Sequence, residues 1–169
     1  MSARTTQVLP KWVPVCHSVP MATGRSALIS IGYEGRSSEE LVQLLTHLRV
    51  TTLVDVRLTP LSRKPGLSKT RLSESLLDVG LGYVHLPALG NPKENREPFR
   101  TGRAHDGCIR FSALLAEPSA VAAMDQLEAL VRDGRVAVLC FERDHERCHR
   151  QVIVDRLADR IDGMSLIHA

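Results

Sequence analysis

A short stretch near the carboxyl end of the chain concentrates side chains that can react or bind ligands. The segment LCFERDHERCHRQVIVDRL, residues 139–157, carries two thiols, two imidazoles and many charges, among them Cys140, Cys148 and His149. A solvated loop needs charges but no cysteines, whereas a buried core accepts cysteines but few charges. The mixture therefore predicts a turn that binds or reacts with a ligand.

Cys148 is the first candidate in this turn. Positive charge and the start of a helix both lower the pKa of a thiol. Cys148 begins a predicted helix, and its basic neighbours are Arg147, His149 and Arg150. We interpret Cys148 as a nucleophile or a structural thiol, with His149 as a further catalytic candidate. Glu142 follows the preceding strand and is a candidate for proton transfer.

Metal and redox chemistry are the alternatives for the same turn. Cys140, Cys148 and a histidine, His145 or His149, supply atoms that bind soft metals. The two cysteines are separated by seven residues, which is not a zinc-knuckle spacing. Because adjacent residues rarely bind one ion together, we predict no metal ligands, and Cys140 is equally well explained as an inert buried thiol. The sequence contains no Walker A or GxGxxG motif, so no cofactor is assigned.

Alternating strands and helices must position these residues. Short apolar runs predict buried strands, and amphipathic stretches with caps predict helices. The predicted strands are 27–33, 51–57, 82–87 and 135–141 with a short last strand in 164–169, and the predicted helices follow Ser37, follow Ser68 or Thr70, and span 118–134 and 148–160. This alternation predicts one α/β domain, residues 27–169, with a mostly parallel sheet of four to five strands and helices on both faces. Residues 1–26 are predicted to be an extension.

Ligands of open parallel sheets bind beyond the carboxyl ends of the strands. Four segments therefore converge on one predicted edge, and each carries polar or charged residues. Their candidate ligand-binding residues are Gly32, Tyr33, Arg57, Arg63, His85, Cys140, Arg143 and Arg150.

Basic residues are concentrated at this same edge, although the net charge of the chain is only +3. The loop from Arg57 to Arg71 contains five basic residues and no acid, and the predicted loop 91–110 adds five more against three acids. Guanidinium forks match phosphate oxygens, so the cluster predicts a phosphate-bearing ligand. The alternative is that these arginines are solvated charges paired with nearby acids.

Asp55 and Arg57 share one face of their predicted strand. An unpaired carboxylate in an apolar strand is costly, so Asp55 is predicted to be paired or hydrogen-bonded. It either holds loops together or acts in catalysis by orienting an arginine or accepting a proton. His85 is similarly either a half-buried structural histidine or a ligand contact.

The composition excludes several other classes. No run approaches the ~20 apolar residues of a membrane helix, and no segment has the pattern of a secretory signal. We therefore expect a cytoplasmic protein with reduced thiols and no membrane partner. Aromatic residues make up 4% of the chain, which argues against a platform that stacks single-stranded nucleic acid.

The motifs IGYEGRSSEELVQLL, LVDVR, YVHLPALGNP and VLCFERDHERCHR, in this order, resemble the DUF488 family over about residues 28–167. The resemblance implies an α/β fold and no particular reaction. The family motif residues carried over to this sequence are Gly32, Asp55, Arg57, His85, Pro87, Leu89, Gly90, Cys140, Glu142, Cys148, His149 and Arg150.

Three hypotheses follow. The leading one is an enzyme-like pocket for a nucleotide or nucleic-acid segment, in which Arg57, Arg63 and Arg150 bind the anion. Glu142 or Asp55 would then transfer protons. The second is a non-catalytic nucleic-acid-binding module with an exposed basic face. The third is a thiol-redox or metal-binding protein that uses Cys140, Cys148 and His149, and it requires the two cysteines to lie close together.

Overall fold

Five parallel strands form one sheet in the computed structural model, which describes residues 26–169. The strands are β1 (Ala27–Gly32), β2 (Thr52–Asp55), β3 (Gly82–His85), β4 (Arg135–Cys140) and β5 (Ser165–His168). They lie in the order β3-β2-β4-β1-β5, and every neighbouring pair is parallel. The predicted α/β class and the strand number are confirmed. The predicted extension, residues 1–26, lies outside the described residues apart from Ser26.

Six α-helices connect or cover the strands within residues 26–169. They are α1 (Ser38–His47), α2 (Lys69–Asp78), α3 (Glu97–Arg100), α4 (Ala104–Leu114), α5 (Pro118–Asp133) and α6 (Arg150–Ala158). The start of α1 carries the predicted capping box, in which the Ser37 hydroxyl accepts from the Glu40 amide and the Glu40 carboxylate accepts from the Ser37 amide. None of the helices in the described part of the chain is long and apolar enough to cross a bilayer.

Helices cover both faces of the sheet, as predicted. Alternate strand residues point to opposite faces, so neighbours such as Leu28 and Ile29 belong to different core clusters. One face packs against α1 and α2, and the other packs against α4, α5 and α6. Because both faces are covered, the central strands β1, β2 and β4 are mostly apolar, and most of the polar chemistry lies at their ends.

The segment 91–110, predicted as a loop, is mostly helical, and this prediction is corrected. It contains α3, the first half of α4 and a short 3-10 turn, Lys93–Asn95. Gly107 lies inside α4, where the Phe99 ring packs against it. A Cβ atom at Gly107 would lie 2.6 Å from that ring. The side-chain amide of Asn95 is buried and donates to Asn91 and to the Gly107 carbonyl at 3.0 Å each, which ties the segment together.

Candidate functional site

The carboxyl ends of three central strands lie level with one another. Gly32 of β1 is in register with Cys140 of β4, and Asp55 of β2 is in register with Leu139. The chain segments that follow these strands surround a cavity of about 420 Å³. Its lining comprises Tyr33, Arg57, Leu58, Thr59, Leu61, Ser62, Arg63, Lys64, Asn91, Arg96, Arg100, Cys140, Phe141, Glu142 and His149. We call this cavity the edge cleft.

A cluster of two thiols and one imidazole lies at the edge cleft. The Sγ atoms of Cys140 and Cys148 and a ring nitrogen of His149 all lie within 4.8 Å of one another. The Nδ1 atom of His149 is 3.9 Å from Cys140 Sγ and 3.6 Å from Cys148 Sγ. All three residues are buried, and Phe111 packs edge-on against the imidazole at 4.9 Å. We call Cys140, Cys148 and His149 the sulfur–imidazole cluster.

Glu142 and Arg150 complete the surroundings of the cluster with opposite charges. The Oε2 atom of Glu142 lies 3.2 Å from Cys140 Sγ and 3.3 Å from Cys148 Sγ. Arg150 is fully buried, donates from Nε to Cys148 Sγ at 3.3 Å and also donates to the Glu142 carbonyl oxygen. A buried guanidinium requires a nearby negative group, and the Cys148 sulfur is the closest candidate.

The ionisable groups in and beside the cluster have pKa values shifted in opposite directions. Burial opposes ionisation of Cys148, but a hydrogen bond from Cys140 and the nearby His149 and Arg150 hold the pKa of the Cys148 thiol well below its ordinary value. The hydrogen bond to Cys148 and burial together raise the pKa of Cys140 well above its ordinary value. Burial, followed by the adjacent Cys148, raises the pKa of Glu142. Of the two sulfurs, Cys148 is therefore the one that ionises more readily.

Asp55 and Arg57 form a second buried network beside the edge cleft. Arg57 donates from Nε to Asp55 Oδ1 at 2.8 Å and from Nη1 to the Leu67 carbonyl at 2.9 Å, and Tyr83 donates to Asp55 Oδ2 at 2.7 Å. Burial opposes the charge on Arg57, yet the hydrogen bonds to Asp55 raise the pKa of Arg57 above its ordinary value. The Nε2 atom of His85 lies 2.9 Å from the Arg57 carbonyl oxygen. This network holds the β2 and β3 exits together.

The candidate residues predicted from the sequence divide into two groups. Six of them line the edge cleft: Tyr33, Arg57, Arg63, Cys140, Glu142 and His149. The other six lie outside its lining: Gly32, Asp55, His85, Arg143, Cys148 and Arg150.

The residues outside the lining support the cleft from behind or face elsewhere. A Cβ atom at Gly32 would lie 1.9 Å from the Glu142 carbonyl oxygen, so this glycine permits the close approach of the turn after β4. Arg143 lines a separate depression with Arg36 and α1 residues. Cys148 is 1% exposed, so its sulfur is not part of the cleft surface.

Several lining residues were not among the candidates. Lys64, Arg96 and Arg100 belong to the basic concentration that the sequence indicated, but no residue in it except Arg57 and Arg63 was selected. The absence of acids between Arg57 and Arg71 was the signal that pointed to Lys64. Asn91 and Phe141 carried no signal, because an amide and an aromatic residue in a loop have many uses.

The fold and the site together define a class of α/β protein: a covered parallel sheet with a cationic cleft and a sulfur–imidazole cluster at its carboxyl edge. The family model described as "Domain of unknown function DUF488" matches residues 37–157, and the chain belongs to this family. The match begins at the N-cap of α1 and ends in α6, so it includes the whole sulfur–imidazole cluster. No curated protein and no solved structure matches the chain.

Proposed function

We propose that the edge cleft binds a small phosphate-bearing anion of nucleotide size. Five of its lining residues are cationic: Arg57, which pairs with Asp55, and the four residues Arg63, Lys64, Arg96 and Arg100. Within residues 26–169 none of the four forms an ion pair with an acid. Glu142 is the only acid among the described lining residues. This unpaired convergence of positive charge is the observation that carries the proposal, because like charges repel unless an anion joins them.

The shape of the cleft favours a small ligand over a nucleic-acid-binding face. A volume of about 420 Å³ falls within the roughly 300–1,000 Å³ of small-molecule sites. Phe141 lines the cleft, is 43% exposed and packs edge-on against Tyr33, so it offers an aromatic surface to a base. A nucleotide would combine the two features, with its phosphate against the guanidinium groups and its base against Phe141.

The proposed chemistry is proton transfer by Glu142 at the cleft. A partly buried carboxyl group with a raised pKa suits an acid or base that acts near neutral pH. Asp55 is fully buried and bonded to Arg57 and Tyr83, so in this proposal it positions Arg57 and does not transfer protons. Arg150, with no exposed surface, likewise takes no part in anion binding. A cytoplasmic location is part of the proposal, because its free thiols require a reducing environment.

Calorimetry at several salt concentrations tests the proposal. It measures the equilibrium binding of inorganic phosphate, AMP, ADP and a short single-stranded oligonucleotide. We expect a nucleoside phosphate to bind more tightly than inorganic phosphate, and Arg63→Ala and Arg100→Ala each to raise Kd by about 10-fold or more. The matched control is Arg71→Ala, because Arg71 is exposed, pairs with Glu74 and lies outside the cleft.

Two outcomes contradict the proposal. Equal weakening by Arg71→Ala and Arg100→Ala would mean that binding depends only on net charge. Tight binding of the oligonucleotide without binding of either mononucleotide would favour the nucleic-acid-binding module instead.

A further inference from the structure

The sulfur–imidazole cluster is separate from the cationic residues that carry the proposed anion site. We propose that Cys140 Sγ, Cys148 Sγ and His149 Nδ1 bind one zinc-type divalent metal ion, with the fourth coordination position open toward Glu142 and the edge cleft. The inference goes beyond the anion site and stands on different residues. Metal binding can therefore hold or fail independently of nucleotide binding.

The separations of the imidazole nitrogen from the two sulfurs are close to those of a tetrahedral site. Zinc lies about 2.3 Å from a thiolate and about 2.0 Å from an imidazole nitrogen, which places neighbouring ligand atoms roughly 3.5–3.8 Å apart. The two sulfur–nitrogen separations are 3.6 and 3.9 Å. An ion therefore fits after small side-chain shifts, without rearrangement of β4 or α6.

His149 reaches the ion because of its backbone position. It is the N-cap of α6 but has helical backbone angles, φ −59° and ψ −16°, and its Nδ1 lies 3.6 Å from the sulfur of the preceding residue. Phe111 packs against the ring and keeps Nδ1 directed at both sulfurs. Adjacency of Cys148 and His149 in the chain, which argued against a metal site, is therefore compatible with shared coordination here.

The charges around the cluster balance once a divalent ion is present. Two thiolates and the Glu142 carboxylate carry three negative charges. A divalent ion and the buried Arg150 guanidinium carry three positive charges. Arg150 donates to Cys148 Sγ and to the Glu142 carbonyl, which is the kind of outer contact that orients a metal-bound thiolate.

A redox dithiol is the competing use of the same two sulfurs. Thiol–disulfide exchange requires a sulfur that a partner thiol can reach. Cys148 is 1% exposed and Cys140 is 7% exposed, so neither sulfur is open to a protein-sized partner. Disulfide exchange does not require one imidazole nitrogen directed at both sulfurs, whereas such a nitrogen is the expected third ligand of a metal site.

Glu142 defines the open side of the proposed site. Its carboxylate contacts both sulfurs but is not among the atoms that all lie within 4.8 Å of one another. We therefore count three protein ligands, as in zinc sites that keep one position for water or substrate. Cys140, Glu142 and His149 all line the edge cleft, so a ligand bound there can approach the open position.

Titration of the reduced full-length protein with cobalt(II), followed by competition with zinc(II), tests the site. We expect one cobalt per chain, with thiolate-to-cobalt charge-transfer absorption and the intense visible bands of tetrahedral cobalt. Native mass spectrometry should find one zinc per chain. The double variant C16S/C108S removes the other two cysteines of the chain and should bind the metal unchanged.

Cys140→Ser, Cys148→Ser and His149→Gln should each weaken metal binding by about 100-fold or more, since loss of outer contacts alone costs about 10–100-fold. Circular dichroism identifies any variant that fails to fold. A second measurement needs no variant: zinc should protect Cys140 and Cys148 of the wild-type protein from alkylation. Absence of stoichiometric binding to the reduced protein would overturn the inference, as would full binding by folded Cys140→Ser and Cys148→Ser. R63A/R100A should keep the metal, so failure of the anion site and of the metal site are distinguishable.

Discussion

The guanidinium of Arg57 donates from Nε to both carboxylate oxygens of Asp55, two positions earlier in the chain, at 2.8 and 3.1 Å. Asp55 has no exposed surface, and the Arg57 side chain is 5% exposed. The pair lies where β2 leaves the sheet, with Tyr83 of β3 donating to the same carboxylate. The buried pair therefore fixes the start of the loop that carries Arg63 and Lys64.

Replacement of Asp55 by alanine should strongly destabilise the protein, because it leaves a buried guanidinium unpaired. We expect the free energy of unfolding to fall by about 3–5 kcal/mol in urea denaturation. At roughly 2–4 °C per kcal/mol, Tm falls by about 6–20 °C. Glu74→Ala, which breaks the exposed pair with Arg71, should change stability by less than about 1 kcal/mol. A similar decrease in unfolding free energy in both variants would show that the buried pair stabilises the protein no more than the exposed pair.

Replacement of Gly32 by alanine should disturb the turn after β4. The added Cβ atom would meet backbone atoms, with the Glu142 carbonyl oxygen at 1.9 Å and the Arg143 Cα at 2.7 Å. We expect a loss of about 1–3 kcal/mol and a lower Tm in calorimetry. Gly82→Ala is the control, because its nearest neighbour is the Thr52 hydroxyl at 3.1 Å. If Gly32→Ala is as stable as Gly82→Ala, the turn moves more easily than the contact implies.

His145 should make stability depend on pH. Its Nδ1 lies 2.9 Å from the Ser30 hydroxyl and its ring 4.1 Å from that of His168. Burial, followed by the charges of His168 and Arg150, lowers the pKa of His145 to about 4. The folded state therefore prefers the neutral ring. The unfolded chain binds more protons between about pH 6.5 and about pH 4, so stability falls as pH falls through this window.

Urea denaturation across that window measures the effect. His145→Gln should flatten the dependence of unfolding free energy on pH there, because the titrating ring is gone. His47→Gln, which changes an exposed histidine in the last turn of α1, should leave the slope as in the wild type. An unchanged slope in His145→Gln would assign the pH dependence to other groups.

In the folded protein, the alkylation rate of each cysteine should depend on the solvent exposure of its sulfur more than on its tendency to ionise. Cys148 has a lowered pKa but is 1% exposed, whereas burial, followed by Asp155 and Cys148, raises the pKa of the half-buried Cys108. In metal-free folded protein, peptide mapping after iodoacetamide treatment should find Cys108 modified before Cys148. In urea the two rates should converge, because access becomes equal. Faster modification of folded Cys148 would restore it as the candidate nucleophile.

Local patterns were enough to predict the regular elements of the sheet. The strands around Leu28 and Val138 are short apolar runs, and the capping box at Ser37 marks the start of α1 before any tertiary contact is considered. The rule that ligands bind at the carboxyl edge then brought Cys140, Glu142 and Arg63 to one place, and all three line the edge cleft.

What the sequence did not predict depends on long-range packing. In the helical segment 91–110, the Phe99 ring packs against Gly107, and the spacing of apolar residues does not predict this contact. The depth of Cys148 and Arg150 depends on β4, α6 and the turn between them meeting at one point, so a helix start that suggested exposed reactivity is in fact buried. The convergence of His149 on two sulfurs required side-chain directions, which spacing along the chain does not specify.

The sulfur–imidazole cluster is local in the chain, since Cys140 ends β4 and Cys148 and His149 end the connection from β4 to α6. The cationic side of the edge cleft, by contrast, comes from two separate segments. Arg63 and Lys64 follow β2, and Arg96 and Arg100 belong to the segment that includes α3. Closing a short loop costs little entropy, whereas bringing the two segments of the cationic side together closes a longer stretch of chain. During folding, therefore, capture of an ion by the β4–α6 connection can come first and stabilise that connection, and selection of an anion comes last.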